Sequence, residues 1–497
     1  MKSRLFGTAL STLSVLAGST ALADVTAQEV WDDWQANMVL FGELNVTSGS
    51  ETYQDGTLTV SDLAITFSDG DGQVTSVMDA LVFTENGDGS VSVTVPEIYP
   101  VTMESNDGVE RLVLTFRQDN ANIVVSGTPG ALNYAITADD YEMRVSELQS
   151  SEDVALEVFV KASGVSGNYQ TDTSEGVRTS YDVSLDSVEM LMDISGDDLE
   201  ALVFSGQLDS VATAGVFAFP EGADLNDPEN FAAEMDVQSQ TLTNGAAFIF
   251  EFQEAGGLPV SGSMTAGVIE ATSDMNPATL GYDFSFNDLA VNATGGDLPF
   301  PVAVTMKALE NTILFPVGET EEPTDFRYRF ALQDLTVNDE IWGMGDPTGQ
   351  LPRDPATLIL DLAGKAKLAF NLLDPNQMAA LAFGGMPGEL ESLDLQELKL
   401  SAVGLDVAGS GAFTFDNTDL ETFDGFPRPQ GEANVSITGV NSLIDTLIGM
   451  GLLEEQQATM GRLMIGMFAQ PAGDDALTSK LEVTEDGQVL ANGQRIR

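Results

Sequence analysis

The chain has no histidine and no cysteine in 497 residues, and only 19 lysines and arginines against 78 aspartates and glutamates. Without imidazole there is no Ser-His or Cys-His nucleophile, and no zinc or haem site of the usual ligand set. Without cysteine there is no disulfide and no lipobox attachment of a lipid, so stability must come from sheet pairing and packing. The shortage of cations leaves a net charge of −59, which repels nucleic acid and anionic membrane faces. Long apolar runs are also missing. After the first 23 residues no stretch reaches the ~20 apolar residues that a spanning helix needs, so no transmembrane segment is expected in the mature chain.

Several motifs are absent as well. Gly164-Val165-Ser166-Gly167-Asn168 approaches a nucleophile elbow but lacks the last glycine, and there is no histidine to activate the serine. No lysine has a serine three residues before it, and neither type of glycine-rich phosphate loop occurs. An enzyme is therefore not expected, and no catalytic residue, metal or cofactor is assigned. Two weaker readings stay open: an acid-only hydrolase built on a carboxylate pair, and calcium at Asn86, Asp88, Ser90 and Glu97. At the second of these, Val91 stands where a calcium loop needs glycine, so turn chemistry explains the cluster.

What is present begins with an export signal. Lys2 and Arg4 precede an apolar run from Leu5 to Leu16, and Ala21-Leu22-Ala23 supplies a small-x-small cleavage pattern. Cleavage between Ala23 and Asp24 leaves a mature chain of 24–497 that is expected to be soluble and periplasmic. Losing residues 1–23 removes Lys2 and Arg4 and no acid, so 17 cations remain and the charge becomes −61. Scattered over the chain, the acids read either as a partner or cation surface or as a solvated coat suited to salty surroundings. With 43% hydrophobic residues spread throughout, the mature chain is expected to fold rather than stay disordered.

The patterning predicts a mainly β fold: an elongated, twisted and curved antiparallel sheet with a few packed helices. Thr26 and Glu29 have capping-box spacing, and Val30, Trp34 and Met38 make one stripe of an N-terminal helix, with Trp31 beside them. From Leu44 onward the period is two, with Asn86-Gly87-Asp88-Gly89 as a hairpin turn. Asp227-Pro228 and Asp374-Pro375 each read as a helix start. Residues 24–497 read as one elongated domain, with a subdivision near 316–325 left open by the acidic connector Glu319 to Pro323.

One pattern recurs: apolar residues alternate, an acid or serine falls in phase, and the phase then slips by one. It appears at Leu58, Val60, Asp62, Leu63, Ile65; at Tyr141, Met143, Val145, Glu147, Leu148; and at Tyr181, Val183, Leu185, Ser187, Val188. It returns at Tyr282, Phe284, Phe286, Asp288, Leu289; at Tyr328, Phe330, Leu332, Asp334, Leu335; and at Leu393, Leu395, Glu397, Leu398. Such a slip sends later side chains to the opposite face unless a bulge restores register, and repeated slips suit a long, bent sheet.

The last apolar region, Asn441 to Phe468, predicts a C-terminal helical hairpin with Leu447 on one stripe and Met460, Leu463, Met464 and Met467 on another. These five residues are the sequence's candidates for lining or covering an apolar groove.

The stretches Asp24-Val25-Thr26-Ala27-Gln28-Glu29-Val30-Trp31-Asp32-Asp33-Trp34-Gln35, Asp55 to Asp62 and Val489 to Gln494 resemble an exported bacterial family, domain-of-unknown-function family 2125. The resemblance implies no activity and no functional residues. The phase-slipping strands and late apolar helices are loosely similar to AsmA-like envelope proteins, a likeness that implies long curled sheets and lipid handling. The expected function is a non-enzymatic periplasmic protein that shelters or passes a lipid or other hydrophobic ligand. The alternative is a structural or scaffolding envelope protein that acts through protein partners.

Overall fold

The computed structural model describes residues 25–40, 44–68, 72–151, 153–174, 176–196, 199–220, 235–373, 377 and 388–497. The signal segment with its Ala23–Asp24 cleavage point, and the starts of the helices expected from Asp227 and Asp374, lie outside them.

The described residues form one 27-stranded antiparallel sheet with a few helices, in line with the period-two patterning. The strands run β1 (Asn45–Thr47), β2 (Ser50–Gln54), β3 (Thr57–Ser68), β4 (Gly72–Glu85), β5 (Val91–Thr94), β6 (Ile98–Ser105), β7 (Arg111–Asp119), β8 (Asn122–Thr128) and β9 (Ala131–Gln149). They continue as β10 (Val154–Asp172), β11 (Val177–Gly196), β12 (Leu199–Phe219), β13 (Asp236–Thr243), β14 (Ala246–Glu254), β15 (Val260–Ala266), β16 (Val268–Met275), β17 (Thr279–Gly295) and β18 (Val302–Pro316). The last are β19 (Thr324–Val337), β20 (Ala356–Leu368), β21 (Gly388–Ala402), β22 (Leu405–Asp416), β23 (Arg428–Thr438), β24 (Gln470–Gly473), β25 (Ala476–Val483), β26 (Val489–Ala491) and β27 (Gln494–Arg495).

The topology is a long meander. Where a neighbour is long, two short strands lie end to end against it: β13 and β14 both pair with β12, and β15 and β16 both pair with β17. Among the described residues no pairing joins β1 or β2 to β26 or β27, so the sheet keeps two edges. The acidic connector at 319–323 joins β18 and β19, which pair with each other.

The phase slips are breaks in the strands, and they line up. In β3, Asp62 adopts a left-handed φ of 51°, and the ladder to β4 passes from Ser61↔Ala80 to Leu63↔Met78 around it. Asn120, between β7 and β8, has φ 52° and its amide reaches Asp139 Oδ2 at 2.6 Å. Gly164 in β10 has φ 63°, and Ser210 in β12 has φ 50°. The next breaks are Gly245 between β13 and β14, then Gly267 between β15 and β16, whose N–H bonds Asn287 O at 2.9 Å. Asp288 (φ 50°) and Asp334 (φ 53°) continue the row in β17 and β19. The result is a crease crossing the sheet from β3 to β19.

At the break one residue is turned out of the pleat, so residues on either side of it keep the same face. Leu58, Val60 and Leu63 are all buried together, although regular alternation would have sent Leu63 to the other side. Phe286, Leu289 and Val291 share one cluster across Asp288 in the same way. The copies at Glu147 and Glu397 sit at bulges of their own, where pairing slips between Val113 and Leu114 and between Asp361 and Leu362.

The first end of the sheet carries a packed core. Helix α1 (Ala27–Leu40) begins with reciprocal Thr26 and Glu29 hydrogen bonds, the expected capping box. Val30 and Trp31 are buried against Leu58, Val60, Leu81, Phe83, Val91 and Val125, and Trp34 meets the Phe83 ring edge-on at 5.4 Å. Tyr134 donates to Asp33 Oδ2 at 3.1 Å, fixing the helix to β9. Helix α2 (Asp339–Gly345) links β19 to β20.

The expected C-terminal hairpin is present as α3 (Val440–Gly449) and α4 (Glu455–Phe468). The Asp475 carboxylate accepts from the N–H groups of Asn441 and Ser442, each at 2.9 Å, at the start of α3. The Ser442 hydroxyl first, then these N–H groups, hold its pKa down at about 2 from an ordinary 3.8.

Two outcomes are expected. Asp288→Val forces a β-branched residue into the left-handed region and destabilises the fold by about 1–2 kcal/mol, whereas Asp288→Asn, which tolerates it, costs little; urea unfolding of the pair measures the difference. Asp475→Asn weakens the α3 start by about 1 kcal/mol at neutral pH. Because the folded pKa is depressed, the advantage of Asp475 over Asn is full above pH 3.8. It fades as pH falls to about 2, so the two unfolding curves converge there.

Candidate ligand-binding face

Directly opposed residues in a sheet share a face, so the register defines each surface. One row of partners reads Tyr99, Phe116, Met143, Val160, Met190, Gly206, Phe248, Met264, Val291, Val304 and Val337 from β6 to β19. Across the crease a second row reads Tyr282, Ile313, Tyr328, Leu362, Leu395, Gly411, Ala433, Leu481 and Ala491 from β17 to β26. The two meet on β17, because Asp288 keeps Tyr282 and Val291 on one side. The outcome is a single apolar lane along the whole sheet, about 80 Å from β3 to β25 at the usual strand spacing.

The opposite face is charged. Between the lane residues of β18 to β21 stand Glu310, Arg327, Arg329, Asp361 and Glu397. Arg327 pairs with Asp361 at 2.8 Å, and Arg329 pairs with Glu310, Asp361 and Glu397 at 3.2, 3.3 and 3.5 Å. Hydrogen bonding to Arg327 lowers the Asp361 pKa.

Protein covers the lane at its first end, where α1 lies. Further along, the large side chains are only half covered: Tyr282 is 45% and Phe284 40% exposed. Two hollows open on the lane. One, of about 450 Å³, is lined by Phe67, Val74, Met103, Leu112 and Leu148 together with Gln73, Glu104, Glu110 and Arg111. The other, of about 480 Å³, includes Phe250, Gly262, Ala293 and Val302. Glycine deepens the floor: a Cβ on Gly206 or Gly262 would strike the ring of Phe248 or Phe250. Polar side chains interrupt the lane: Asn311 lies between Phe284 and Phe330 and donates to Arg329 O at 3.3 Å. Tyr99 and Tyr141 hydroxyls meet at 2.5 Å, and burial pushes the Tyr99 phenol pKa up.

The sequence candidates lie elsewhere. Leu447 is half-buried on α3, and Met460, Leu463, Met464 and Met467 stand out from α4 at 56–63% exposure. The structure gathers the four α4 residues into one exposed stripe and does not place them over the lane's aromatic residues. Those residues, among them Phe204, Phe248, Phe284 and Phe330, were visible in the sequence only as period-two alternation. The Asn86–Ser90 cluster is a turn, with the Asn86 amide on Ser90 Oγ and the Ser90 N–H on Asp88.

No described helix is long and apolar enough to cross a membrane. No curated protein matches the chain. Among solved structures it is similar to a copper transporter, OprC, at 9% identity over 80% of this chain and 72% of that one. The TM-score of 0.17 is too low for that likeness to carry any argument about fold or function. A family model matches residues 222–496, more than half of the chain, and the protein therefore belongs to the family described as "Uncharacterized protein conserved in bacteria (DUF2125)".

Proposed function

We propose that this is a non-enzymatic exported protein that shelters or passes lipid acyl chains along the apolar face of its sheet. The observation that carries the reading is the lane itself. A soluble sheet with one apolar face buries it under a second layer, yet here the described helices cover only the first end. An exposed apolar surface this long is a binding surface or an aggregation hazard. The hollows beside Phe67 and Phe250 have the size of small-molecule sites, with apolar side chains on part of their walls. The high negative charge on the outer surface keeps copies apart while the lane stays available. The cleavable signal supports a periplasmic location.

Native mass spectrometry of protein purified from the periplasm without detergent, with organic extraction, tests the proposal. A reproducible lipid is expected. It should be lost in Phe284→Asp/Phe330→Asp, which charges the lane, and retained in Ser285→Asp, which charges the outer face. A bare protein that takes up no lipid offered in vitro overturns the reading and favours a scaffold acting through protein partners.

A further inference from the structure

One long rim of the sheet is lined by exposed apolar side chains, and this rim is distinct from the lane. The turn between β14 and β15 presents Leu258 at 70% exposure, and the turn between β17 and β18 presents Leu298 at 37%. Gly296 N–H bonds Pro259 O at 2.8 Å, so these two turns are neighbours. Asn338 Nδ2 bonds Pro301 O at 2.7 Å and brings α2 alongside, with Met344 at 72% exposure. The connection after α2 reaches the hairpin, where Gly449 lies beside Gln350. There Leu452 is exposed at 61%, Leu463 at 63% and Met467 at 61%. The row follows about eight strand spacings, or about 40 Å.

We infer that this rim docks the protein on an uncharged or zwitterionic lipid bilayer, with these side chains inserted among the headgroups. Three features select that occupant. First, the side chains project from separate turns, from α2 and from one stripe of α4, an arrangement that needs a deformable apolar medium rather than a single shaped partner. Second, the rim is acidic, with Asp297, Asp339, Glu340, Glu454 and Glu455 on it, so an anionic surface is repelled and attachment depends on apolar insertion. Third, the rim borders the lane. Val260, Val302 and Val337 of the apolar face are the terminal strand residues at these turns, so a bilayer on the rim stands next to the face proposed to take its chains.

Flotation with phosphatidylcholine vesicles tests the inference directly and does not require lipid uptake. The purified protein is expected to float with phosphatidylcholine vesicles and much less with phosphatidylglycerol vesicles. A variant carrying Leu258→Ser, Met344→Ser, Leu463→Ser and Met467→Ser should lose at least about tenfold in partitioning, since interfacial binding scales with buried apolar area. These residues are exposed, and an unchanged thermal melt confirms that the variant folds. Phe426→Ser, at the turn between β22 and β23 on the opposite rim and 74% exposed, should float normally. Phe284→Asp/Phe330→Asp should also float normally, which separates a failed rim from a failed lane. Three results overturn the inference: no flotation on any vesicle, flotation unaffected by the four serines, or concentration-dependent self-association that the four serines abolish. The last would assign the rim to a second copy of the chain.

Discussion

The structure depends on left-handed residues placed at one level of the sheet, mostly in every second strand. An L-residue at φ near 50° is unfavourable, and aspartate, asparagine and glycine bear it best. At Asp62, Asn120, Asp288 and Asp334 the chain accepts that strain, with Gly164 at the same level without it, and the residues beyond the break keep their face. Without these breaks, Leu63, Leu289 and Leu335 would face the charged side, and the lane would be cut in two along its length.

Keeping one face apolar divides the chemistry of the molecule. On the other face Arg327 and Arg329 tie four strands together through Glu310, Asp361 and Glu397, with Asp361 only 8% exposed. Arg329 and Asp361 are mostly buried, so their charges must be paired, and a network over adjacent strands fixes register. At the first end the two surfaces behave differently again. There α1 supplies the missing layer, and Phe83, Leu81 and Val125 become an ordinary core. The same strand pattern therefore serves as core under the helix and as an accessible surface beyond it.

This explains which parts could be read from the sequence. The Thr26–Glu29 cap, the period-two strands and the phase slips at Asp62, Asp288 and Asp334 are local patterns, and each marks a real element. The alignment of those slips is not local, because Ser210 and Gly164 join the row only through pairing with distant strands. Nor can alternation at Phe284 or Phe330 tell a covered face from an open one, since that depends on whether another layer arrives. Helical stripes stand out more clearly, so the sequence alone points to Met460, Leu463, Met464 and Met467. Those residues form an exposed stripe on the rim.

The absence of native cysteine allows the lane to be probed directly. Phe284→Cys and Ser285→Cys, adjacent on β17, point to opposite faces, and each can carry an environment-sensitive fluorophore as the protein's only label. If the lane takes acyl chains, adding lipid should shift the emission at position 284 to the blue and leave position 285 unchanged. Equal responses at both positions, or none at either, would contradict a one-sided lane open to hydrocarbon.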